Sequence, residues 1–301
     1  MKVLHLNNHY ARVGGVETIL FNALDALEEQ GVVNVVVHQY PGSTVRSGRR
    51  AYEVPGCFEP RVTERVLATL RRIFEEELPD IIHIHGAGTG ELLRLGRLHA
   101  PVVQGVYNHS FYCPGAARYL PVLDTVCERP FGRGCIVSAF LTHCNSVRPR
   151  ALLDSYRRCR GMLDSHRSVR FLALSTYQAR CMAQSGYERQ SVSVLAPFTA
   201  LPLLSEPDRG EAVLFVGRLV KQKGLDRLIR AAAQSGSRWK LVVAGDGPER
   251  AASERLAGRL GAADRIEFRG WLDGADLQAA YADARVVVMP SVWPEPFGMV
   301  G

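Results

Sequence analysis

Short apolar runs alternate with helical patterns through the first two thirds of the chain. We interpret the runs as buried strands, because they are short and bounded by glycine, proline or polar residues. They cover residues 3–7, 32–40, 81–85, 101–106, 171–175 and 192–195. Apolar residues recur at helical spacing from Gly14–Gly15 to about residue 30, over 63–77 and over 176–185. This alternation of strands and helices predicts an α/β fold with parallel sheets.

The alternation resumes after a segment rich in proline. Three prolines and Gly210 punctuate residues 197–211, which we interpret as a linker between domains. Strands are then predicted at 213–217, 240–244, 266–269 and 285–290, with helices at 224–235, 249–260 and 275–283. The sequence therefore predicts an N-terminal domain over 1–196 and a C-terminal domain over 212–301.

Two segments depart from this alternation. Residues 41–59 are polar and rich in turn residues, and are predicted to form a loop region. Residues 146–170 are basic with interleaved apolar positions. They predict an amphipathic helix pair that leans on an anionic membrane or an acceptor. An ordinary solvated helix face is the alternative interpretation.

Composition and charge narrow the range of partners. The 301 residues are 47% hydrophobic and 22% charged, which is typical of a globular protein. No apolar stretch is long enough to cross a bilayer, and the N-terminal run is too short for a signal peptide. We therefore expect a cytoplasmic protein. The net charge of +7 suggests an acidic partner. Nucleic acid is the weakest choice, because no basic motif is interleaved with aromatic residues.

The turn after the strand at 213–217 combines two cations with a helix start. Arg218 and Lys223 lie in this turn, and Gly224 opens the following helical pattern. A helix N-terminus carries partial positive charge and free amide groups, so this arrangement suits a diphosphate. An ordinary turn with solvated basic residues is the competing interpretation.

Two further features lie at predicted strand ends in the first domain. Gly14–Gly15 precedes a helix, so its amide groups could approach an anion closely. The same residues could form a flexible turn. His109 follows the strand at 101–106 and is a candidate hydrogen-bond donor or proton-transfer group, with a structural histidine as the alternative.

Histidines and cysteines offer weak metal hypotheses. His83 and His85 share one strand face, but the sequence shows no third ligand beside them. Four cysteines lie in a stretch rich in glycine, proline and arginine. They are Cys113, Cys127, Cys135 and Cys144, with His143 as an additional ligand. No two of them have Cys-x-x-Cys spacing, so reduced free thiols are the default expectation.

The last strand is followed by a rigid acidic segment. Glu295 lies between two prolines, which suits a carboxylate that must meet a sugar hydroxyl. Phe297 and Gly298 follow directly and could offer backbone amides to the same ligand. Gly245-Asp-Gly-Pro248 forms another strand-end turn, in which Asp246 is either a ligand contact or a helix cap.

In this order, these motifs resemble the GT-B glycosyltransferases of family 4, also called group 1. The resemblance covers the whole chain and is strongest for residues 217–224 together with 295–298. The His109-Ser-Phe-Tyr-Cys-Pro segment and the later cysteines are similar to the cysteine-bearing subgroup, often linked to cell-surface polysaccharide or lipid-linked glycan assembly. The resemblance implies two Rossmann-like domains with parallel sheets that face each other across a cleft.

The resemblance also implies roles for individual residues. Arg218 and Lys223 would bind the diphosphate of a UDP- or GDP-sugar, and Gly15 would contact phosphate through its backbone. Glu295 would bind sugar hydroxyls beside the Phe297 and Gly298 amides, and His109 would lie at the reacting sugar. The family transfers sugars with retention of configuration and without a divalent metal, so neither a metal nor a cofactor is expected.

One departure from the family pattern bears on activity. The family has a second glutamate that would fall two positions past Gly301, and the rest of the second domain would follow it. We therefore expect an incomplete second domain with poor solubility and little turnover. The alternatives are an inactive or fragmentary nucleotide-sugar-binding protein and a GT-B sugar-nucleotide epimerase.

Overall fold

The computed structural model describes residues 1–12, 14–40, 48–198, 210–235 and 239–300. The chain divides into two compact units. The first comprises Met1–Leu123 and Cys127–Ala200, and the second comprises Asp124–Val126 and Leu201–Gly301. Most of the predicted linker, residues 199–209, lies outside the described residues. In the described part of the chain, no helix has both the length and the apolar character that crossing a bilayer requires.

The first unit is built on a parallel sheet. The strands up to residue 198 are β1 (Lys2–His9), β2 (Val33–Tyr40), β3 (Arg50–Glu53), β4 (Ile81–Ile84), β5 (Val102–Val106), β6 (Tyr119–Leu120), β7 (Thr125–Val126), β8 (Arg170–Ala173) and β9 (Val192–Val194). Seven of these described strands form one sheet in the order β3-β2-β1-β4-β5-β8-β9, whereas the short strand β7 belongs to the second unit. The strand order reverses between β1 and β4, where parallel α/β sheets commonly place their ligands.

Helices cover both faces of this sheet. They are α1 (Gly15–Glu29), α2 (Glu64–Glu77), α3 (Gly90–Arg97), α4 (Gly134–Thr142), α5 (Pro149–Asp164) and α6 (Thr176–Gln184). Leu70 and Phe74 of α2 pack in the main core with Leu4 and Leu6 of β1. A separate cluster joins α1 to the opposite face of β2. Alternation of side chains along each strand therefore gives the sheet two buried faces.

Three predictions in the first unit were wrong in detail. The predicted loop region over 41–59 contains β3, whose polar sequence at a sheet edge lacks a strand pattern. The stretch around the four cysteines, for which no helix was predicted, contains α4. The predicted helix pair over 146–170 is one helix, α5. Its start fits the preference for proline at the first helical position.

The second unit repeats the architecture on a smaller scale. Its strands are β10 (Ala212–Val216), β11 (Leu241–Ala244), β12 (Ile266–Gly270) and β13 (Ala284–Val287), and its helices are α7 (Leu225–Gln234), α8 (Arg250–Arg259) and α9 (Gly274–Ala282). The described strands form a parallel sheet in the order β12-β11-β10-β13. Phe215 and Val243 face the cluster of α7 and α8, while Leu214 and Val242 face α9. The strand order reverses between β10 and β13, which marks the expected ligand edge of this sheet.

Candidate functional site

The candidate donor residues of the second unit follow its two switch-point strands. Arg218 and Lys223 come after β10, and Glu295, Phe297 and Gly298 come after β13. Because β10 and β13 are parallel neighbours, their carboxyl ends meet at the same edge of the sheet. The topology therefore brings the two loops together, although 72 residues separate Lys223 from Glu295.

Close backbone packing fixes the position of these loops. Gly224 has a φ of +66°, and a Cβ atom at this position would lie 2.1 Å from the Pro290 carbonyl oxygen. The Val292 amide donates to the Gln222 carbonyl oxygen over 2.9 Å. Only glycine combines a positive φ with such an approach, so Gly224 lets the loop after β13 rest on the start of α7.

The loop after β11 supports the turn that carries Arg218. The Leu219 amide donates to the Asp246 carbonyl oxygen over 2.9 Å, and the Glu249 amide donates to the Leu219 carbonyl oxygen over 2.9 Å. A Cβ atom on Gly245 would lie 1.9 Å from the Gly217 carbonyl oxygen. The Gly-Asp-Gly-Pro segment thus acts through its backbone, while the Asp246 side chain accepts from the Gly247 amide.

Glu295 is the centre of a compact polar cluster. Its Oε1 atom accepts from Lys223 Nζ at 2.6 Å, from Ser291 Oγ at 2.5 Å and from Trp293 Nε1 at 3.1 Å. Lys223 Nζ also lies 5.9 Å from the centroid of the Trp293 ring, within the range of a cation–π contact. Glu295 Oε2 has no hydrogen-bond partner among the described residues, so it can accept from a ligand.

The cluster keeps Glu295 ionised. Burial alone would raise its pKa, but the hydrogen bonds from Lys223 and Ser291 outweigh burial and lower the pKa below its usual value. The Lys223 and Glu295 side chains are 25% and 17% exposed, so solvent screens their ion pair only in part. The pair therefore holds a cation and an anion in fixed positions at the ligand edge of the sheet.

The remaining candidate residues of the second unit are accessible. The Arg218 side chain is exposed and forms no hydrogen bond or ion pair with the described residues, which leaves its guanidinium group available to an anion. Phe297 is 43% exposed. Gly298 has a φ of +87°, with the Met289 side chain 3.2 Å from where a Cβ atom would stand. A side chain there would meet both backbone strain and Met289.

In the first unit, Gly15 begins α1 and follows the extended residue Gly14. A buried acid, Glu17, lies in the first helical turn, and its Oε1 accepts from Asn7 Nδ2 over 3.3 Å. Glu17 Oε2 would lie 3.1 Å from a Cβ atom on Gly14. The glycine-bearing helix start thus has a carboxylate beside it, which was not predicted from the sequence.

His109 is fully buried in the first unit. Its Nδ1 atom lies 2.6 Å from the Tyr112 hydroxyl oxygen, and its ring meets the Tyr112 and Tyr177 rings edge to face. These contacts hold the imidazole in one orientation. In the structure His109 therefore meets tyrosine side chains, and its role at a sugar remains a prediction.

The structure adds a third histidine to the pair on β4. His5 of β1 is in register with His83, and the His5, His83 and His85 rings converge. The four candidate cysteines are free thiols. Among the residues that the structure describes, no three cysteine sulfurs are close enough together to share a metal, whereas the three histidine nitrogens are.

Sequence reasoning missed several members of these groups. Ser291 and Trp293 lie four and two residues before Glu295, in the same segment, so their proximity could have been inferred from spacing. His5 could have been found from strand register, had the neighbour of β4 been known. The sequence singles out Glu17 less clearly, because an acidic residue is common in the first turn of a helix.

Comparison with known families accounts for most of the chain. A family model described as Glycosyltransferase Family 4 matches residues 13–201. A second model, described as Glycosyl transferases group 1, matches residues 204–301.

Relatives with assigned names include a protein of lipopolysaccharide synthesis. The lipopolysaccharide core biosynthesis glycosyltransferase LpsD of Rhizobium meliloti is 28% identical over 293 residues, covering 95% of this chain and 71% of LpsD. An uncharacterized glycosyltransferase of Methanocaldococcus jannaschii is 45% identical over 95 residues, covering 31% of this chain and 24% of that protein. The chain thus spans only part of the length of these relatives.

Solved structures establish the fold. Anabaena HepE, crystallised with UDP and glucose, aligns over 100% of this chain and 77% of its own, with a TM-score of 0.69 and 18% identity. WaaG, a glycosyltransferase involved in lipopolysaccharide biosynthesis, aligns over 96% of this chain and 75% of its own, with a TM-score of 0.63 and 17% identity. The predicted GT-B class of α/β fold is confirmed.

Proposed function

The chain belongs to glycosyltransferase family 4, and from that premise we propose that it serves the transfer of a sugar from a nucleotide-sugar donor. The proposed acceptor is a glycan or a lipid-linked glycan of a cell-surface polysaccharide. Support for the acceptor class comes from LpsD, which is named for lipopolysaccharide core biosynthesis. Support for the donor class comes from HepE, which was crystallised with UDP-glucose.

The observation that carries the proposal is the Lys223–Glu295 cluster at the switch point of the second unit. We assign the donor diphosphate to Arg218 and Lys223. When the bond from the anomeric carbon to the phosphate oxygen breaks, the electron pair leaves with the diphosphate and increases its negative charge. The two cations stabilise that charge more in the departing group than in the bound donor, which lowers the barrier.

Glu295 is proposed to bind hydroxyls of the transferred sugar. Its Oε2 atom has no partner among the described residues, while the contacts on Oε1 hold the carboxylate in place. The backbone of Phe297 and Gly298 follows on the same loop and would contact the same sugar. Lys223 would remain paired with Glu295 on one side while it meets phosphate on the other, since an ammonium group has three donors.

The first unit is proposed to receive the acceptor. Gly15 would offer its backbone to phosphate at the start of α1, and His109 would lie at the reacting sugar. Transfer with retention of configuration is part of the proposal, as is a hexose as the transferred sugar. We propose no covalent glycosyl intermediate.

Donor binding tests this assignment. We expect the chain to bind UDP-glucose or GDP-glucose in calorimetric titrations, and Arg218→Ala to weaken binding at least tenfold. Arg230→Ala is the matched control, because Arg230 is an exposed arginine of the same unit that lies on α7. Equal affinities of the Arg218 variant and the wild-type chain would exclude the proposed role of Arg218.

Product analysis separates the alternative functions. Release of the nucleotide diphosphate that depends on an acceptor indicates transfer, whereas binding without release indicates a nucleotide-sugar-binding protein. Conversion of the donor into a different nucleotide sugar without an acceptor would indicate an epimerase. If the wild-type chain forms one of these products and Arg218→Ala loses donor binding, the reaction takes place at the proposed donor site.

We also propose peripheral contact with an anionic membrane at the cytoplasmic face. Helix α4 exposes Ile136, Val137, Phe140 and Leu141, whose spacing places them along one side of the helix. The chain then enters α5, which carries exposed arginines such as Arg150 and Arg157. Apolar side chains followed by basic ones suit the interface of an anionic bilayer.

A further inference from the structure

Three imidazole rings converge on one face of the central sheet in the first unit. His5 of β1 is paired in register with His83 of β4. His85 lies two residues beyond His83 and projects from the same face. The ring centroids of His83 and His85 lie 3.9 Å apart, and that of His5 lies 5.3 Å from His85 and 5.5 Å from His83.

We propose that His5, His83 and His85 form a binding site for a divalent transition metal with the ligand preferences of zinc. One nitrogen of each ring lies within 4.8 Å of the nitrogens of the other two. A tetrahedral metal at about 2.0–2.1 Å from each nitrogen needs them about 3.3 Å apart. Small ring rotations therefore reach the required geometry without movement of the strands.

The first independent observation is an unsatisfied nitrogen. His83 Nε2 is buried and has no hydrogen-bond partner among the described residues. Native structures rarely bury a polar atom without a hydrogen-bond partner. A metal held by the three rings would satisfy this nitrogen.

The second observation is that the outer partners of two ligands are already in place. Asn34 Nδ2 donates to the Leu24 carbonyl oxygen over 3.2 Å, so its Oδ1 faces His5 Nε2 at 3.0 Å as an acceptor. His5 therefore carries its proton on Nε2 and presents an unprotonated Nδ1 to the centre of the cluster. Metal-binding histidines usually donate their other N–H to such a fixed acceptor.

His85 needs only a proton shift within its own ring. Its Nε2 lies 3.0 Å from His5 Nδ1, and its Nδ1 lies 2.8 Å from the Tyr107 hydroxyl oxygen. Without a metal, His85 Nε2–H donates to His5 and the Tyr107 hydroxyl donates to His85. With a metal, the proton moves to Nδ1 and donates to the Tyr107 oxygen, which frees Nε2 as a ligand.

A metal binds the unprotonated nitrogen of a neutral imidazole, and His5 presents its Nδ1 in that form. Three imidazole nitrogens favour zinc or a similar ion over magnesium or calcium, which prefer oxygen ligands.

The site is proposed to join two neighbouring strands rather than to take part in sugar transfer. A bound metal would tie β1 to β4 at the point where the strand order reverses, and would so stabilise the first unit. This inference does not depend on the proposed function, because none of the three histidines is assigned to the donor or to the acceptor.

The test compares metal binding by the whole chain and its variants. Zn²⁺ binding is measured by equilibrium dialysis with elemental analysis, and Co²⁺ binding by visible absorption. His83→Phe is the informative variant, because His83 Nε2 has no bond to lose and phenylalanine retains a planar ring. His38→Phe is the matched control, since His38 is also buried on this sheet with an unpartnered ring nitrogen.

We expect wild type and His38→Phe to bind one more equivalent of metal than His83→Phe, with the absorption of tetrahedral Co²⁺. Tyr107→Phe removes the outer partner of His85 and should weaken binding roughly 10- to 100-fold. Binding that is unchanged in His83→Phe but lost on cysteine alkylation would overturn the proposal in favour of the cysteines. Absence of binding by the wild-type chain at millimolar Zn²⁺ would also overturn it.

Discussion

At the scale of single residues, the most informative contact is the ion pair between Lys223 and Glu295. The family resemblance implies that these residues bind different parts of a ligand, the lysine the phosphate and the glutamate a sugar. In the structure each orients the other, and Ser291 fixes the carboxylate from a second direction. Such pairing restricts both side chains before a ligand arrives, which reduces the entropy lost on binding.

Glu295→Gln tests the contribution of that charge to stability. Glutamine can still accept from Lys223, Ser291 and Trp293, but it leaves the lysine without a counter-ion. We expect the second unit to lose about 1–2 kcal/mol of unfolding free energy at pH 7, measured by denaturant titration. Glu211→Gln removes an exposed charge from the same unit and should change stability by less than about 0.5 kcal/mol.

The same variant gives a pH signature. The pKa of Glu295 is lowered in the folded protein, so its contribution is present above the unfolded pKa and is lost as pH falls through the folded value. Wild type should therefore lose more stability than Glu295→Gln below about pH 4.5, near the usual glutamate pKa. Parallel stability curves for the two proteins over this range would contradict the role assigned to the ion pair.

Part of this site was predictable from the sequence and part was not. Two flanking prolines made the rigid position of Glu295 evident, and the strand-end positions of Arg218 and Lys223 followed from apolar patterning. The pairing of Lys223 with Glu295 depends on the adjacency of β10 and β13, which no local pattern encodes. The burial of His109 beside tyrosines likewise depends on packing from other elements.

At the scale of elements, glycines decide how closely the strand-end loops approach one another. Gly245 has a φ of +148° and lies against the Gly217 carbonyl oxygen. Gly258 of α8 has no atom within 4 Å of where its Cβ would stand. The two positions therefore differ in both strain and space, although each is a glycine of the same unit.

Replacing Gly245 and Gly258 with alanine should have opposite effects on the stability of the second unit. Gly245→Ala should destabilise the second unit by more than about 3 kcal/mol, because backbone strain adds to a clash with backbone. Gly258→Ala should stabilise it by about 0.5–1 kcal/mol through helix propensity. Thermal unfolding of both variants measures the difference, and similar midpoints would show that the loops can separate at little cost.

A buried carboxylate joins three elements of the first unit. Glu77 at the end of α2 accepts from Lys2 Nζ of β1 at 3.2 Å, and from Arg50 Nη1 at 2.9 Å and Tyr52 Oη at 2.5 Å, both on β3. Burial alone would raise the pKa of Glu77, but the hydrogen bonds from Tyr52, Arg50 and Lys2 lower it. These side-chain contacts thus anchor the polar edge strand β3, and Tyr52 also packs against the main core.

Removing that carboxylate should loosen the edge of the sheet. We expect Glu77→Ala to cost about 2–4 kcal/mol, because it leaves Tyr52 and Lys2 without their acceptor. Glu76→Ala changes the neighbouring exposed position and should cost less than about 0.5 kcal/mol. Hydrogen exchange of the Tyr52 and Val54 amides, which face β2, locates the effect, and unchanged protection there would show that Glu77 does not hold β3.

At the scale of the whole molecule, the fold class was predictable and the strand order was not. Alternating apolar runs and helices fixed an α/β protein with parallel sheets, because each element must bury one or two faces. The positions where strand order reverses place the candidate residues, and they depend on long-range pairing. The edge strand β3 and helix α4 were not predicted, because β3 lacks an apolar pattern and α4 leaves apolar residues exposed.

The net charge of +7 and the exposed side of α4 lead to a prediction about the membrane. We expect the chain to sediment with vesicles that contain anionic lipid and much less with neutral vesicles. Binding should fall as salt rises, because the arginine contribution is screened over about 10 Å at 0.1 M ionic strength.

The apolar contribution is tested by replacing Phe140 and Leu141, which are 56% and 70% exposed, with serine. Full burial of each side chain contributes about 1.5–3 kcal/mol. Replacing two partly inserted side chains should therefore weaken vesicle binding at least tenfold. Leu98→Ser is the control, because Leu98 is 79% exposed in the same unit but belongs to another segment. An equal loss in the control, or none in the double variant, would assign vesicle binding to charge alone and remove α4 from the proposed contact.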